Sequence, residues 1–203
     1  MVLHYDAAVT SRRCFEVLHD VRGLSCHFLI DVDGTIRQTL DLVHRARHAT
    51  VSNDRSIGVE IAHVGAFPSD SAFDRLYGED EGGLLLRIPA SLGPPASANG
   101  RPFRPARPGF VRGTIHGRPL VQPDFTAAQY ASVRHLLTAL RSAFPRIGSD
   151  APRDDASGEV RTTALAASEL AAFRGVLGHF HVTESKVDPG PAFDWDAVLS
   201  GSR

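Results

Sequence analysis

Two histidines, two carboxylates and a lysine crowd one short stretch near the C-terminus: His179, His181, Glu184, Lys186 and Asp188. Imidazole and carboxylate are ligands for a divalent metal ion, and a lysine beside them offers positive charge to an anion forming there. Asp188 opens the run Asp188-Pro189-Gly190-Pro191. Two prolines fix φ and the glycine admits positive φ, so this is a rigid turn that can hold a carboxylate in one direction. Apolar Val176, Leu177 and Phe180 surround the polar groups, which predicts a buried strand that ends in a loop. On a strand, His179 and His181 would share a face. Such a pair serves equally as metal ligands or as a polar stripe with one packed histidine, and the stretch itself leaves both readings open. No zinc-finger spacing is present, so any further ligand must come from far away in the chain.

Glu60 is the second notable group. It sits in Ser56-Ile57-Gly58-Val59-Glu60-Ile61-Ala62-His63, with Ile57, Val59 and Ile61 on the opposite face of the predicted strand. Burying a carboxylate there costs several kcal/mol unless it is paired or protonated. A pKa raised for that reason would suit a general base or acid; an edge strand whose polar face meets water explains the pattern as well. His4 ends a short predicted strand, Val2-Leu3-His4-Tyr5, and read locally it is a surface histidine. His27, on the strand Cys26–Asp31, reads as packed or hydrogen-bonded.

The elements that would position these groups follow in order. Thr10 or Ser11 caps a helix running to about His19, with Phe15 and Leu18 on its apolar side. The strands 26–31 and 35–40 flank Asp33-Gly34, a hairpin signal. Residues 41–53 are polar and irregular. Residues 67–123 are dominated by Pro, Gly, Ser and Arg, including 93–100, with short pieces of order at Leu84-Leu85-Leu86 and Phe110-Val111. They read as a loop-rich insertion within one domain, 1–203. Thr126 and Gln129 form a capping box for a core helix that runs to about Phe144, where Pro145 stops it. A shorter helix over 164–173 leads into a strand at 176–179. Strands and helices interleave, so the expected class is α/β, a mixed central sheet flanked by helices.

Bulk properties narrow the function classes. The chain has 203 residues, 42% apolar and 22% charged, with a formal net charge of −1. There is no basic excess to neutralise phosphates, so nucleic acid is not the expected partner. No apolar run nears the roughly 20 residues that span a bilayer. The opening Met1-Val2-Leu3-His4 lacks the features of a signal peptide; the chain is expected in the cytoplasm, or in the periplasm or outside the cell if a leader is missing. Cys14 and Cys26 form no Cys-x-x-Cys motif and are expected to be free, buried thiols.

Several pieces together resemble one family. They are His4 on a first strand, Ser25 through Thr35, Arg47-His48-Ala49, Asn53 through Glu60, Phe125-Thr126-x-x-Gln129, and Gly178-His179 through Lys186-Val187-Asp188-Pro189-Gly190. In this order they resemble the zinc-dependent N-acetylmuramoyl-L-alanine amidases of type 2, with the phage lysozyme-type amidases and peptidoglycan recognition proteins, over about residues 2–195. The resemblance is nearest to the branch whose third ligand is aspartate. It implies zinc held by His4, His179 and Asp188 in a groove at the sheet edge. It further implies Glu60 as the residue that activates water, and Lys186 as the oxyanion stabiliser. The implied reaction is cleavage of the amide between N-acetylmuramic acid and L-alanine, in peptidoglycan or muropeptides; a monomer is expected. The alternative is a non-catalytic muropeptide-binding module; all five positions are filled, which favours the enzyme. His27, His48, Arg55 and His181 are candidates for substrate contact. Where phage-type relatives carry a catalytic tyrosine this chain has Cys26, and where Trp-His-Ala-Gly is usual it reads Arg47-His48-Ala49-Thr50.

Overall fold

Val2–Tyr5 forms the first strand, β1, buried on both faces except at its last residue. A central parallel strand must be apolar on both sides, and β1 obeys this except at His4. In the computed structural model, which describes residues 1–92 and 102–200, β1 lies fourth of five in the main sheet. The run 93–100, expected as part of the insertion, lies outside the described residues. Thr10 caps the helix α1 (Ser11–Phe15) by accepting from the Arg13 N–H. The helix then continues as a π-helical turn over Glu16–Val21. Phe15, expected on the apolar side, is instead 38% exposed and stacks on His19.

The hairpin at Asp33-Gly34 is present: β2 (Phe28–Ile30) pairs antiparallel with β3 (Ile36–Gln38). Gly34 takes φ +84 there, and its N–H donates to the Asp31 carbonyl. β4 (Gly58–Ile61) then runs parallel to both β2 and β1. With β9 (Leu177–Gly178) on the far side of β1, the order is β3-β2-β4-β1-β9. β4 is therefore central, and the edge-strand explanation of Glu60 does not hold. Alternation along these strands divides the sheet into two faces. Leu3, Phe28, Ile30, Val59 and Ile61 point into the main core. His4 and Glu60, register partners on neighbouring strands, point the other way.

The core face is covered by α2 (Ala127–Ala143), whose buried Tyr130, Val133, Leu136, Leu137 and Leu140 recur at helical spacing. Its capping box is formed as expected: Thr126 Oγ1 accepts from the Gln129 N–H, and Gln129 Oε1 accepts from the Thr126 N–H. Phe144 closes the helix just ahead of Pro145. The segment 67–123 has more regular structure than its composition suggests. It holds two antiparallel hairpins, β5 (Tyr77–Asp80) with β6 (Gly83–Leu86) and β7 (Phe110–Ile115) with β8 (Arg118–Pro123). Phe73, Tyr77, Leu84, Leu86 and Val121 gather with Val32, Ala62 and Val64 into a second apolar cluster. Two short helices, α3 (Ala167–Ala172) and a turn α4 (His179–Val182), flank β9, and α5 (Trp195–Leu199) ends the described chain. No helix among the described residues is long and apolar enough to cross a membrane. Cys14 and Cys26 are buried as free thiols in one small cluster with Leu29.

Candidate metal centre

His4 reaches the site from the end of β1, His179 from the first position after β9, and Asp188 from the proline-flanked turn. Their ligand atoms form a triangle. His4 Nδ1 lies 3.0 Å from His179 Nδ1 and 2.8 Å from Asp188 Oδ2. His179 Nδ1 lies 3.0 Å from the same carboxylate oxygen. All three residues are buried, and no other His, Cys, Asp or Glu among the described residues joins a group of this kind. A single proton can serve only one edge of such a triangle, whereas one cation serves all three corners. The spacing also suits zinc: bonds of ~2.0–2.1 Å in a tetrahedron set ligand atoms about 3.3 Å apart. Around a zinc ion, two imidazoles and a carboxylate would fill three corners and leave the fourth for water or substrate, as in catalytic sites.

The electrostatics agree. Burial pushes His4 down, against the raising effect of Asp188, so the ring favours its neutral, lone-pair form. Burial alone would raise Asp188, but the His179 and His4 imidazoles set against its carboxylate hold it well below the usual carboxylate range. The backbone ties the ligands together, since the Phe180 N–H donates to the Asp188 carbonyl at 3.1 Å. Gln122, fully buried on β8, grips the turn from both ends: its Nε2 donates to the Pro189 carbonyl and its Oε1 accepts from the Ala192 N–H, each at 2.9 Å.

Glu60 stands beside His4 across the β1–β4 pairing. Its Oε2 is buried with no protein hydrogen-bond partner among the described residues. Burial first, then the charges of Asp188 and Asp6, raise its pKa well above the ordinary glutamate value; Lys186 and Arg22 oppose the shift. Lys186 is exposed, on the tight turn 183–186. Its charge bears on both His4 and Glu60. Its carbonyl accepts from His116 Nε2–H at 3.0 Å, so the tip of the β7–β8 hairpin holds this turn.

The four residues expected to touch substrate make the following contacts within the protein. The strand expected at 176–179 stops at Gly178, and His179 through Val182 make a helical turn instead. On a helix, residues two apart point to different sides, so His181 turns away from His179. His181 accepts from the Gly178 N–H and donates to the Arg161 carbonyl, which uses both ring nitrogens. His27 likewise accepts from the Gly58 N–H and donates to the His44 carbonyl. Arg55 donates to the Leu170 and Phe173 carbonyls at the C-terminal end of α3, the place where a cation offsets the helix dipole. His48 packs edge-on against His4, with 5.1 Å between ring centroids, and its Nδ1 lies 2.9 Å from His4 Nε2. Burial, and then His4, His27 and His179, push His48 down to about 2. The sequence held no signal for His116, Gln122 or Ser56. Their contacts arise from pairings across 67 to 70 positions, or through a second histidine.

A solved complex of the N-acetylmuramyl-L-alanine amidase AmiD from E. coli with anhydro-N-acetylmuramic acid-L-Ala-D-gamma-Glu-L-Lys shares the fold, with a TM-score of 0.53 at 16% identity. The match covers 98% of this chain and 55% of that one, so this chain spans about half the length of AmiD. A crystal structure of a selenomethionine derivative of AmpD aligns over 98% of this chain and 81% of that one, at 19% identity and a TM-score of 0.45. No curated protein sequence matches at a significant level. The family profile described as N-acetylmuramoyl-L-alanine amidase matches residues 1–191. With that match over nearly its whole length, the chain belongs to the N-acetylmuramoyl-L-alanine amidase family.

Proposed function

We propose that this protein is a zinc hydrolase that cleaves the amide between the lactyl group of N-acetylmuramic acid and L-alanine, in peptidoglycan or in muropeptides released from it. The observation that carries the reading is the triangle of His4, His179 and Asp188 with Glu60 beside it and Lys186 on the adjoining turn. Zinc, when bound there, supplies a Lewis acid and brings the pKa of water to about 7. Glu60 takes the proton from the attacking water and returns it to the departing amine of L-alanine. Its raised pKa suits both halves of that transfer. Lys186 meets the negative charge that grows on the carbonyl oxygen; one such donor is worth roughly 3–4 kcal/mol. Asp188 and the two imidazoles hold their lone pairs inward.

The test is mass spectrometry of products from polymeric peptidoglycan and from anhydro-muropeptides, with and without chelator. The expected result is free stem peptide beginning at L-alanine, abolished by chelator and restored by zinc. Intact substrate in every arm, with one zinc bound per chain, would mean the site binds muropeptide without cutting it.

A further inference from the structure

We infer that His48 and Ser56 form a tautomer lock that keeps the Nδ1 lone pair of His4 pointed into the triangle. This rests on the metal reading above and concerns residues that the triangle does not contain. Ser56 Oγ lies 2.6 Å from the Ser52 carbonyl, which can only accept, so the single hydroxyl proton is committed there. Ser56 Oγ therefore accepts from its other neighbour, His48 Nε2, at 3.2 Å. A neutral His48 that carries its proton on Nε2 offers a lone pair at Nδ1. Two other imidazoles face this ring, at 5.1 Å (His4) and 6.2 Å (His27), and no carboxylate among the described residues hydrogen-bonds it. His4 must then donate from Nε2, 2.9 Å away, and as a neutral ring it keeps Nδ1 unprotonated, facing His179 and Asp188.

The surroundings are built to keep His48 in place. Asn53 Oδ1 accepts from the N–H groups of both His48 and Ala49, at 3.0 and 2.7 Å, and so fixes the backbone turn that presents the ring. Gly58 has no side chain where the ring sits: a Cβ there would come within 2.6 Å of His48 Cγ and Nδ1. The arrangement is one-sided. His179 Nε2 is buried with no protein partner among the described residues, so only His4 has its tautomer set by the protein. His48 and Ser56 are thus positioning residues, acting through His4 on whatever cation the triangle holds. Partners of this kind change metal affinity by roughly 10- to 100-fold when removed.

The experiment uses the whole chain, zinc-free and zinc-loaded. Long-range ¹H–¹⁵N NMR of the zinc-free protein reads which nitrogen of His4 carries the proton, and chelator competition reads the zinc dissociation constant. The expected result is an unprotonated Nδ1 on His4 in the wild type, and mixed tautomers in Ser56→Ala and His48→Leu. Zinc affinity should fall about 10- to 100-fold in His48→Leu and less in Ser56→Ala. His48→Asn, which still offers an acceptor to His4, should recover most of the loss. A wild-type His4 protonated on Nδ1 would overturn the lock, as would unchanged zinc affinity in both folded variants. A wild type that binds no zinc yet keeps Nδ1 unprotonated would sink the metal reading and leave the lock standing.

Discussion

His116 tests whether the insertion steers catalysis. It occupies the first of two turn positions between β7 and β8, with φ +52, followed by Gly117 at φ +71. Asn-Gly is the favoured pair for such a turn, because asparagine tolerates the left-handed region well. Histidine held there stores up to about 1–2 kcal/mol of backbone strain. In return, its Nε2–H reaches the Lys186 carbonyl at 3.0 Å, a contact worth about 0.5–1.5 kcal/mol. Asparagine keeps the turn but is too short to reach that carbonyl. His116→Asn should therefore leave stability unchanged or raised by up to about 1 kcal/mol, a rise in Tm of about 2–4 °C at most. Losing about 1 kcal/mol of restraint on the lysine turn should lower kcat/KM about fivefold. Scanning calorimetry and a chromatographic assay of peptide release from an anhydro-muropeptide read the two effects separately. A folded His116→Asn protein with wild-type kcat/KM would refute the claim that this hairpin places Lys186.

Glu60→Gln should keep one zinc per chain by elemental analysis yet lose about 10²- to 10⁴-fold in kcat; a variant that turned over normally would remove Glu60 from the mechanism. Lys186→Met should also keep its zinc and lose about 10²- to 10³-fold in kcat, since it removes one oxyanion donor. Asp188→Ala should instead lose the zinc itself, together with the rise in Tm that zinc produces in the wild type. His63 makes the protein acid-sensitive: burial pushes it from 6.5 down to about 4, with its Nε2–H on the Pro123 carbonyl. Below pH 6.5 the unfolded chain takes up a proton that folded His63 refuses. Stability is therefore full above pH 6.5 and falls by roughly 3 kcal/mol as pH drops to 4. Urea titrations should show His63→Gln falling less steeply across that window than the wild type.

The main strands, the Asp33-Gly34 hairpin and the capping box at Thr126 were legible because each is set by neighbours in sequence. The central placement of Glu60 was half legible: its apolar flanks showed a buried strand, but only the pairing with β1 and β2 shows which face it serves. The helical turn at His179 was not legible. A His-x-His pair amid apolar residues suits a strand equally well, and the turn is stabilised by a contact that spacing does not encode, Phe180 N–H to the Asp188 carbonyl. The intramolecular partners of His27, His48, Arg55 and His181 were hidden for one shared reason. A histidine or arginine in a polar stretch looks free until its partners arrive from elsewhere, as the Leu170 and Phe173 carbonyls do for Arg55. The insertion's order was hidden by Pro and Gly in its turns, although Phe73, Tyr77, Leu84 and Leu86 carry its packing.

The 184 positions between His4 and Asp188 bear on when the proposed site could take up a cation. Chain closure over that distance is entropically costly, and the contacts rewarding it form only once β1 is flanked by β4 and β9. A chain emerging from the ribosome would thus hold His4 without the complete ligand set until Asp188 has been made. Loading of the proposed site would then follow completion of the sheet.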